Sequence, residues 1–283
     1  MRSLGRLLLG SLLALFAAGC AADIAADVDD EEDPEEVVAS DASAVSASSL
    51  RVMTYNIKYG AESGLDLSKI AAVIKESNPD VLALQEVDEG TRRSGGKKET
   101  SELAALTGMR HYFFGASFDF DGGQYGQAIL SKYPLSNTRV IRLDSHTKRA
   151  NGYEPRIAVA ADVAAKGKRL TFVSVHASLH ESERDDNARA LLAALGPGVS
   201  RAIVAGDFNE TPGKTIGDAL TGAGMVDAYK EKHRFFGFTA PAKLPTKRID
   251  FIFRGKAFGK TAHAWVPKTT ASDHRPVAAV IPL

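Results

Sequence analysis

Six polar sites recur where apolar strands end, and their eight residues are the ones in the chain equipped for chemistry. Asn56 lies near the end of Arg51-Val52-Met53-Thr54-Tyr55-Asn56-Ile57, Glu86 follows Leu82-Ala83-Leu84-Gln85, and His176 follows Thr171-Phe172-Val173-Ser174-Val175. Asp207 and Asn209 follow Ile203-Val204-Ala205-Gly206, Asp250 opens Phe251-Ile252-Phe253, and Asp273 and His274 sit in Ser272-Asp273-His274-Arg275-Pro276. Singly, each has an ordinary structural explanation: a strand-end Asn or Asp is a turn former, and a lone His on an apolar strand is a satisfied core residue. Together they place acids, amides and imidazoles at strand ends, where scaffolded loops carry function. Carboxylate and amide oxygens suit a hard divalent cation such as Mg²⁺ or Mn²⁺.

The positions need a frame. The 283 residues, 44% of them apolar, suffice for a large core and exclude a wholly disordered or fibrous chain. Residues 51–57 read as a strand, and Leu67, Ile70, Ala71 and Ile74 form one helical stripe, capped by Asp66 and stopped by Asn78-Pro79. Val81 to Leu84 reads as a buried strand, with further strands expected near 111–116, 127–131, 156–164, 169–176, 201–205, 248–254 and 276–282. A second helix is expected near 183–195, where Ala188, Leu191, Leu192 and Leu195 precede Gly196-Pro197. Many strands with interspersed helices fit a two-layer stack of mixed sheets covered by helices. Periodicity alone does not separate this from an open doubly wound sheet.

Charge divides the chain. Basic and acidic side chains both number 35, but residues 1–50 hold two bases and ten acids, so residues 51–283 are formally +8. Such a body favours anionic partners, phosphate the commonest. The single cysteine, Cys20, excludes an intrachain disulfide framework and a multi-thiolate zinc site. Arg2 and Arg6, the apolar run Leu7 to Ala18, and Ala17-Ala18-Gly19-Cys20 resemble a bacterial lipoprotein signal, with Ala17 where Leu is usual. That resemblance implies a signal over 1–19 and a lipidated Cys20. An acidic, Ala- and Ser-rich tether over 20–49 would follow, placing residues 50–283 outside the cytoplasm at the cell envelope.

In order along the chain, the motifs resemble the endonuclease/exonuclease/phosphatase superfamily, the DNase I-like fold. The resemblance covers about residues 50–283. It rests on Leu84-Gln85-Glu86, Gly206-Asp207-Phe208-Asn209 and Ser272-Asp273-His274, supported by Tyr55-Asn56 and Arg248-Ile249-Asp250-Phe251-Ile252. It implies a four-layer α/β sandwich of two packed mixed β-sheets flanked by helices, with the active site at one edge of the paired sheets. It also implies Glu86 as the principal ligand of Mg²⁺ or Mn²⁺, with Asn56, Asp273 and Asp207 near the metal. Asp207 and Asn209 would orient the attacking water and contact the phosphate. His274, oriented by Asp250, would be the acid/base or phosphate stabiliser, and His176 a second phosphate-binding or leaving-group histidine. Arg156 matches a phosphate-facing arginine. In-line hydrolysis of a phosphate ester needs charge neutralised on the non-bridging oxygens, a water placed opposite the leaving group, and a proton for that group; these residues can supply all three.

Substrate features are thinner. The loop Asp88 to Lys98 follows the metal glutamate and is expected either to close flexibly over a phosphate or to lie solvated. Tyr112, Phe113, Phe114, Phe118, Phe120 and Tyr125 form an aromatic cluster that is either core or a stacking surface. Gln127, where many bacterial members carry Asn, is expected at the cleft wall. The loop and adjoining segments look like bacterial relatives of eukaryotic GPI-lipid remodelling domains. The expectation is therefore a monomeric metal-dependent phosphodiesterase acting on phospholipid head groups or small phosphodiesters. An extracytoplasmic nuclease acting on nucleic acid and a catalytically inactive binding lipoprotein are the alternatives.

Overall fold

The first strand, β1 (Ser49–Asn56), shows how the layers arise. Successive strand side chains point to opposite faces. Leu50 and Val52 therefore join one buried cluster while Met53 and Tyr55 join another. The computed structural model describes residues 48–143 and 154–283. The expected signal, Cys20 and most of the tether lie outside the described residues.

After a 3₁₀ turn at Lys58–Ser63 comes α1 (Leu67–Ser77), which buries Leu67, Ile70, Ala71 and Ile74 as its spacing predicts. Asp66 caps it by accepting from Ser68 N at 3.0 Å, and Asn78 ends it in the left-handed conformation, φ 46°. Then follow β2 (Val81–Glu89), α2 (Glu99–Thr107), β3 (His111–Phe120), β4 (Gly123–Ser131), β5 (Leu135–Arg142), β6 (Ile157–Ala165) and β7 (Lys168–His176). α3 (Glu181–Leu195), β8 (Ala202–Asp207), α4 (Thr215–Gly222), β9 (Val226–Asp227) and α5 (Ala228–Lys232) lead to β10 (Asp250–Arg254), β11 (His263–Trp265) and β12 (Val277–Pro282). No described helix is long and apolar enough to cross a membrane.

The strands form two six-stranded sheets, ordered β11-β12-β1-β2-β4-β3 and β5-β6-β7-β8-β10-β9. In each, one central pair is parallel, β1 with β2 and β7 with β8, and the pairings around it are antiparallel. Leu50, Val52, Val81, Ala83 and Ile129 of the first sheet meet Ile157, Val159, Phe172, Ile203 and Ile252 of the second in a continuous core. α1 and α2 cover the outer face of the first sheet, and α3 and α4 that of the second. The result is the expected four-layer α/β sandwich rather than an open sheet.

Candidate active site

The site begins with register. Across β7, β8 and β10, His176 pairs with Asp207 and Asp207 with Asp250, so three titratable residues stand side by side on neighbouring strands. Gly206 makes this possible: a Cβ there would lie 2.0 Å from the Val175 carbonyl oxygen. Beyond the strand, Asp207 Oδ1 accepts from Asn209 N at 2.9 Å, and Asn209 takes a left-handed φ of 51°. The Asn209 amide donates to Ala177 O at 3.0 Å, and buried Phe208 packs against Phe251 and Phe253 beneath the turn.

From the other sheet, β2 breaks register between Leu84 and Val87, and Glu86 sits in that bulge with φ 55°. A bulge re-aims a side chain at a modest backbone cost. Here it brings the Glu86 carboxylate to Asn56, whose buried Nδ2 donates to Glu86 Oε1 at 2.9 Å and to Asp207 Oδ2 at 3.0 Å. Burial pushes the Glu86 pKa up, the Asn56 hydrogen bond opposes this, and Asp273 raises it further.

Ser272 anchors the third motif by donating to Asn56 O at 2.7 Å. His274 Nδ1 then lies 2.9 Å from Asp250 Oδ2, and its Nε2 faces Asp207 Oδ2 at 3.8 Å. Burial alone would lower the His274 pKa, but Asp250 and Asp207 outweigh it and hold the ring near 10, an imidazolium at neutral pH. Burial raises Asp207 to about 7 against the opposing pull of His274. His176 is the opposite case: burial, then the Arg156 and His274 cations, push it well below its ordinary value. Arg156 Nη1 points at that ring, 3.1 Å from Nδ1 and 3.0 Å from Nε2, and pairs with Glu154 at 3.0 Å.

The family model of the endonuclease/exonuclease/phosphatase family matches residues 53–274, spanning every one of these positions. The chain belongs to the endonuclease/exonuclease/phosphatase family. Its members are hydrolases of phosphate esters, generally dependent on a divalent metal. Among relatives, the uncharacterized protein YbhP of Escherichia coli (strain K12) is 28% identical over 254 residues, covering 83% of this chain and 97% of YbhP. Among solved structures, an endonuclease/exonuclease/phosphatase from Beutenbergia cavernae superposes with a TM-score of 0.67 at 22% identity, covering 83% of this chain and 72% of that one. A mannosyl-6-phosphatase from Bacteroides thetaiotaomicron superposes with a TM-score of 0.66 at 19% identity, covering 83% and 100%. At these identities the structural likeness speaks for the fold.

A divalent cation fits the donor set of this family member. Glu86 and Asp207 share the one Asn56 amide and burial raises both carboxyls, while Asp250 Oδ1 is buried without a hydrogen-bond partner even though His274 faces Asp250 and Asp207. Asp207, Asp250 and His274 also offer atoms within 4.8 Å of one another, but a His274 that keeps both ring protons is no ligand. Asn56 presents its N–H₂ to the carboxylates, while its Oδ1 accepts from Lys58 N at 3.1 Å. Asp273 reaches Lys58 Nζ at 2.9 Å, and the same ammonium pairs with Glu62 at 2.9 Å. Lys58 escaped the sequence reading. Its only signal is the positive φ of 45° at the turn after β1, which residue type does not announce.

Three expectations change. Gln127 is buried between the sheets, with Nε2 donating to Ile157 O and Oε1 accepting from Ser174 at 3.3 Å, so it is not a cleft-wall residue. The Asp88–Lys98 loop is neither free to close nor merely solvated. Arg93 makes two 2.8 Å bonds to buried Asp88 and lies over the Tyr59 ring at 3.8 Å, while Thr91 and Ser94 are buried. The aromatic cluster is divided: Tyr125 is buried against Phe118, Phe113 and Phe114 pack partly into the cores, and Tyr112 stands half exposed.

Proposed function

We propose that this chain is a Mg²⁺-dependent phosphodiesterase, tethered at the cell envelope through a lipidated Cys20 and acting on phospholipid head groups or small phosphodiesters. The observation that carries the hydrolytic reading is the meeting of Glu86 and Asp207 on one Asn56 amide, beside the Asp250–His274 pair. The +8 body and the lipoprotein-like leader support an anionic substrate at a membrane.

Glu86, with Asp207 and Asp273 close by, would hold the cation. When bound, a hard divalent ion neutralises charge on the non-bridging phosphate oxygens and lowers the barrier to attack. Asp250 holds Nδ1 of His274, leaving Nε2–H to donate to a phosphate oxygen or the leaving group. With His274 engaged as donor, Asp207 is the group that accepts the proton of the attacking water. Asn209 fixes that carboxylate through its backbone N–H. Arg156, held by Glu154 and directed by neutral His176, supplies a fixed cation to the phosphate.

The test is hydrolysis by the purified chain, with and without Mg²⁺, of bis-nitrophenyl phosphate, sphingomyelin, phosphoinositides, RNA and duplex DNA. Metal-dependent cleavage of the small diester and a lipid head group is expected. Cleavage of duplex DNA alone would replace this reading with the nuclease.

A further inference from the structure

Residues 233–249, between α5 and β10, leave four large apolar side chains in solvent. Phe235 is 65% exposed, Phe236 74%, Phe238 40% and Leu244 75%. Among the described residues the other exposed large apolar side chains are scattered over other elements, so this clustering calls for a physical reason. The rings form one ridge: Phe235 and Phe236 meet at 6.4 Å between centroids, and Phe236 and Phe238 at 6.2 Å, both edge to face.

The segment carries acid-free, basic charge along its length. Lys232, Arg234, Lys243 and Lys247 are all exposed, and no Asp or Glu occurs from Lys232 to Ile249. Arg234 lies over the Phe235 ring at 5.3 Å. The base of the segment is fixed to the catalytic elements. Ala242 N donates to Asp273 O at 2.7 Å, Arg275 N to Thr239 O at 2.7 Å, and Thr239 Oγ1 accepts from Ile249 N at 3.2 Å. The exposed tip is therefore carried by the same backbone that places Asp250 and His274.

We infer that this segment docks the domain on an anionic phospholipid surface, Phe235, Phe236 and Leu244 entering the acyl boundary and the four cations meeting head-group phosphates. Apolar tips flanked by Lys and Arg are the composition that binds such interfaces. A single-stranded nucleic acid needs open aromatic faces along a groove. Here the rings are packed edge to face on each other, and Leu244 has no π face. The inference goes beyond the hydrolytic reading and stands without it.

The chain has one tryptophan, Trp265, which leaves a fluorescent reporter free to be placed on the ridge. The full chain and its Phe236→Trp variant are mixed with phosphatidylcholine vesicles, with and without phosphatidylglycerol, carrying bromine on the acyl chains. In Phe236→Trp the expected result is a blue shift and bromine quenching on phosphatidylglycerol vesicles, absent in the parent. Lys243→Ala with Lys247→Ala in that background should weaken the response about tenfold and reduce its salt sensitivity. Because the reporter senses its own surroundings, attachment through the N-terminal segment does not imitate this result. An unshifted spectrum on bound vesicles overturns the proposal, as does equal quenching without phosphatidylglycerol, or a response to single-stranded DNA in place of vesicles. A parent chain that cleaves no phosphodiester sinks the hydrolytic reading, and the fluorescence still decides the docking.

Discussion

Asn56 and Asp207 come from different sheets, yet one hydrogen bond of 3.0 Å joins the Asn56 amide to the Asp207 carboxylate. The same nitrogen serves Glu86 at 2.9 Å, so one side chain sets the separation of two acids that otherwise repel. Asn56→Ala should leave the fold intact and lower kcat by ten- to a hundredfold, because small misplacements of reacting groups carry penalties of that size. Steady-state kinetics with a circular dichroism control checks it. Unchanged kcat would show that the carboxylates hold their positions unaided.

Glu86→Gln removes one ligand charge at nearly constant volume. The expected outcome is loss of turnover with weakened metal binding, seen by titrating Mg²⁺ against activity and, separately, against thermal stability. Parent-like rates at saturating Mg²⁺ would remove Glu86 from the metal site.

His274→Ala should reduce kcat by about 10² to 10⁴, the usual range for losing a positioned proton donor. Asp250→Asn tests orientation through the partner: it leaves the imidazole present but removes the carboxylate at 2.9 Å. A smaller kcat loss and an alkaline limb moved to lower pH are expected, since Asp250 helps hold the ring's proton. A structural role alone would leave the pH profile where it was.

Much of this site was legible in the sequence because strand ends follow from apolar runs, and the chemistry-bearing residue types stand at those ends. Geometry that depends on distant segments was not legible. The ion pair of Lys58 with Asp273 joins opposite ends of the domain, and the left-handed Glu86 follows from a bulge that no residue type marks. Among the elements, α2 escaped because it buries Glu99 and Thr100 beside Leu103 and Ala104 and so shows no apolar stripe. β5 escaped because it is an edge strand whose side chains are mostly exposed and polar.

Ser174 sits between the sheets, where its hydroxyl accepts from Gln85 Nε2 at 2.9 Å and faces Gln127 Oε1 at 3.3 Å. Ser174→Ala removes the hydroxyl with little change of volume and leaves the Gln85 amide without its acceptor. A loss of about 1–3 kcal/mol is expected, the cost of an unsatisfied buried polar group. Urea unfolding measures it. An unchanged midpoint would mean that the amides find new partners.

Glu99 gives the sharpest dependence on pH. Its side chain is buried at the start of α2, Oε2 accepts from Asp88 N at 2.8 Å, and Oε1 has no hydrogen-bond partner. Burial, with Asp88 and Glu89 adding to it, raises its pKa to about 8, while the Asp88 N–H and Arg93 pull the other way. An unfolded glutamate titrates near 4.3. Below that pH both states are protonated and Glu99 contributes no pH dependence. As pH rises from there to about 8, the unfolded chain loses a proton that the folded chain keeps, and the folded state weakens progressively, by a few kcal/mol at most. Glutamine resembles the protonated acid, so Glu99→Gln should unfold like the parent at pH 4 and resist urea better at pH 9. The check is the difference in unfolding free energy between the two chains at both pH values. If that difference is the same at both, Glu99 titrates in the folded protein as it does in the unfolded chain, and the buried carboxylate is stabilised by groups other than those named here.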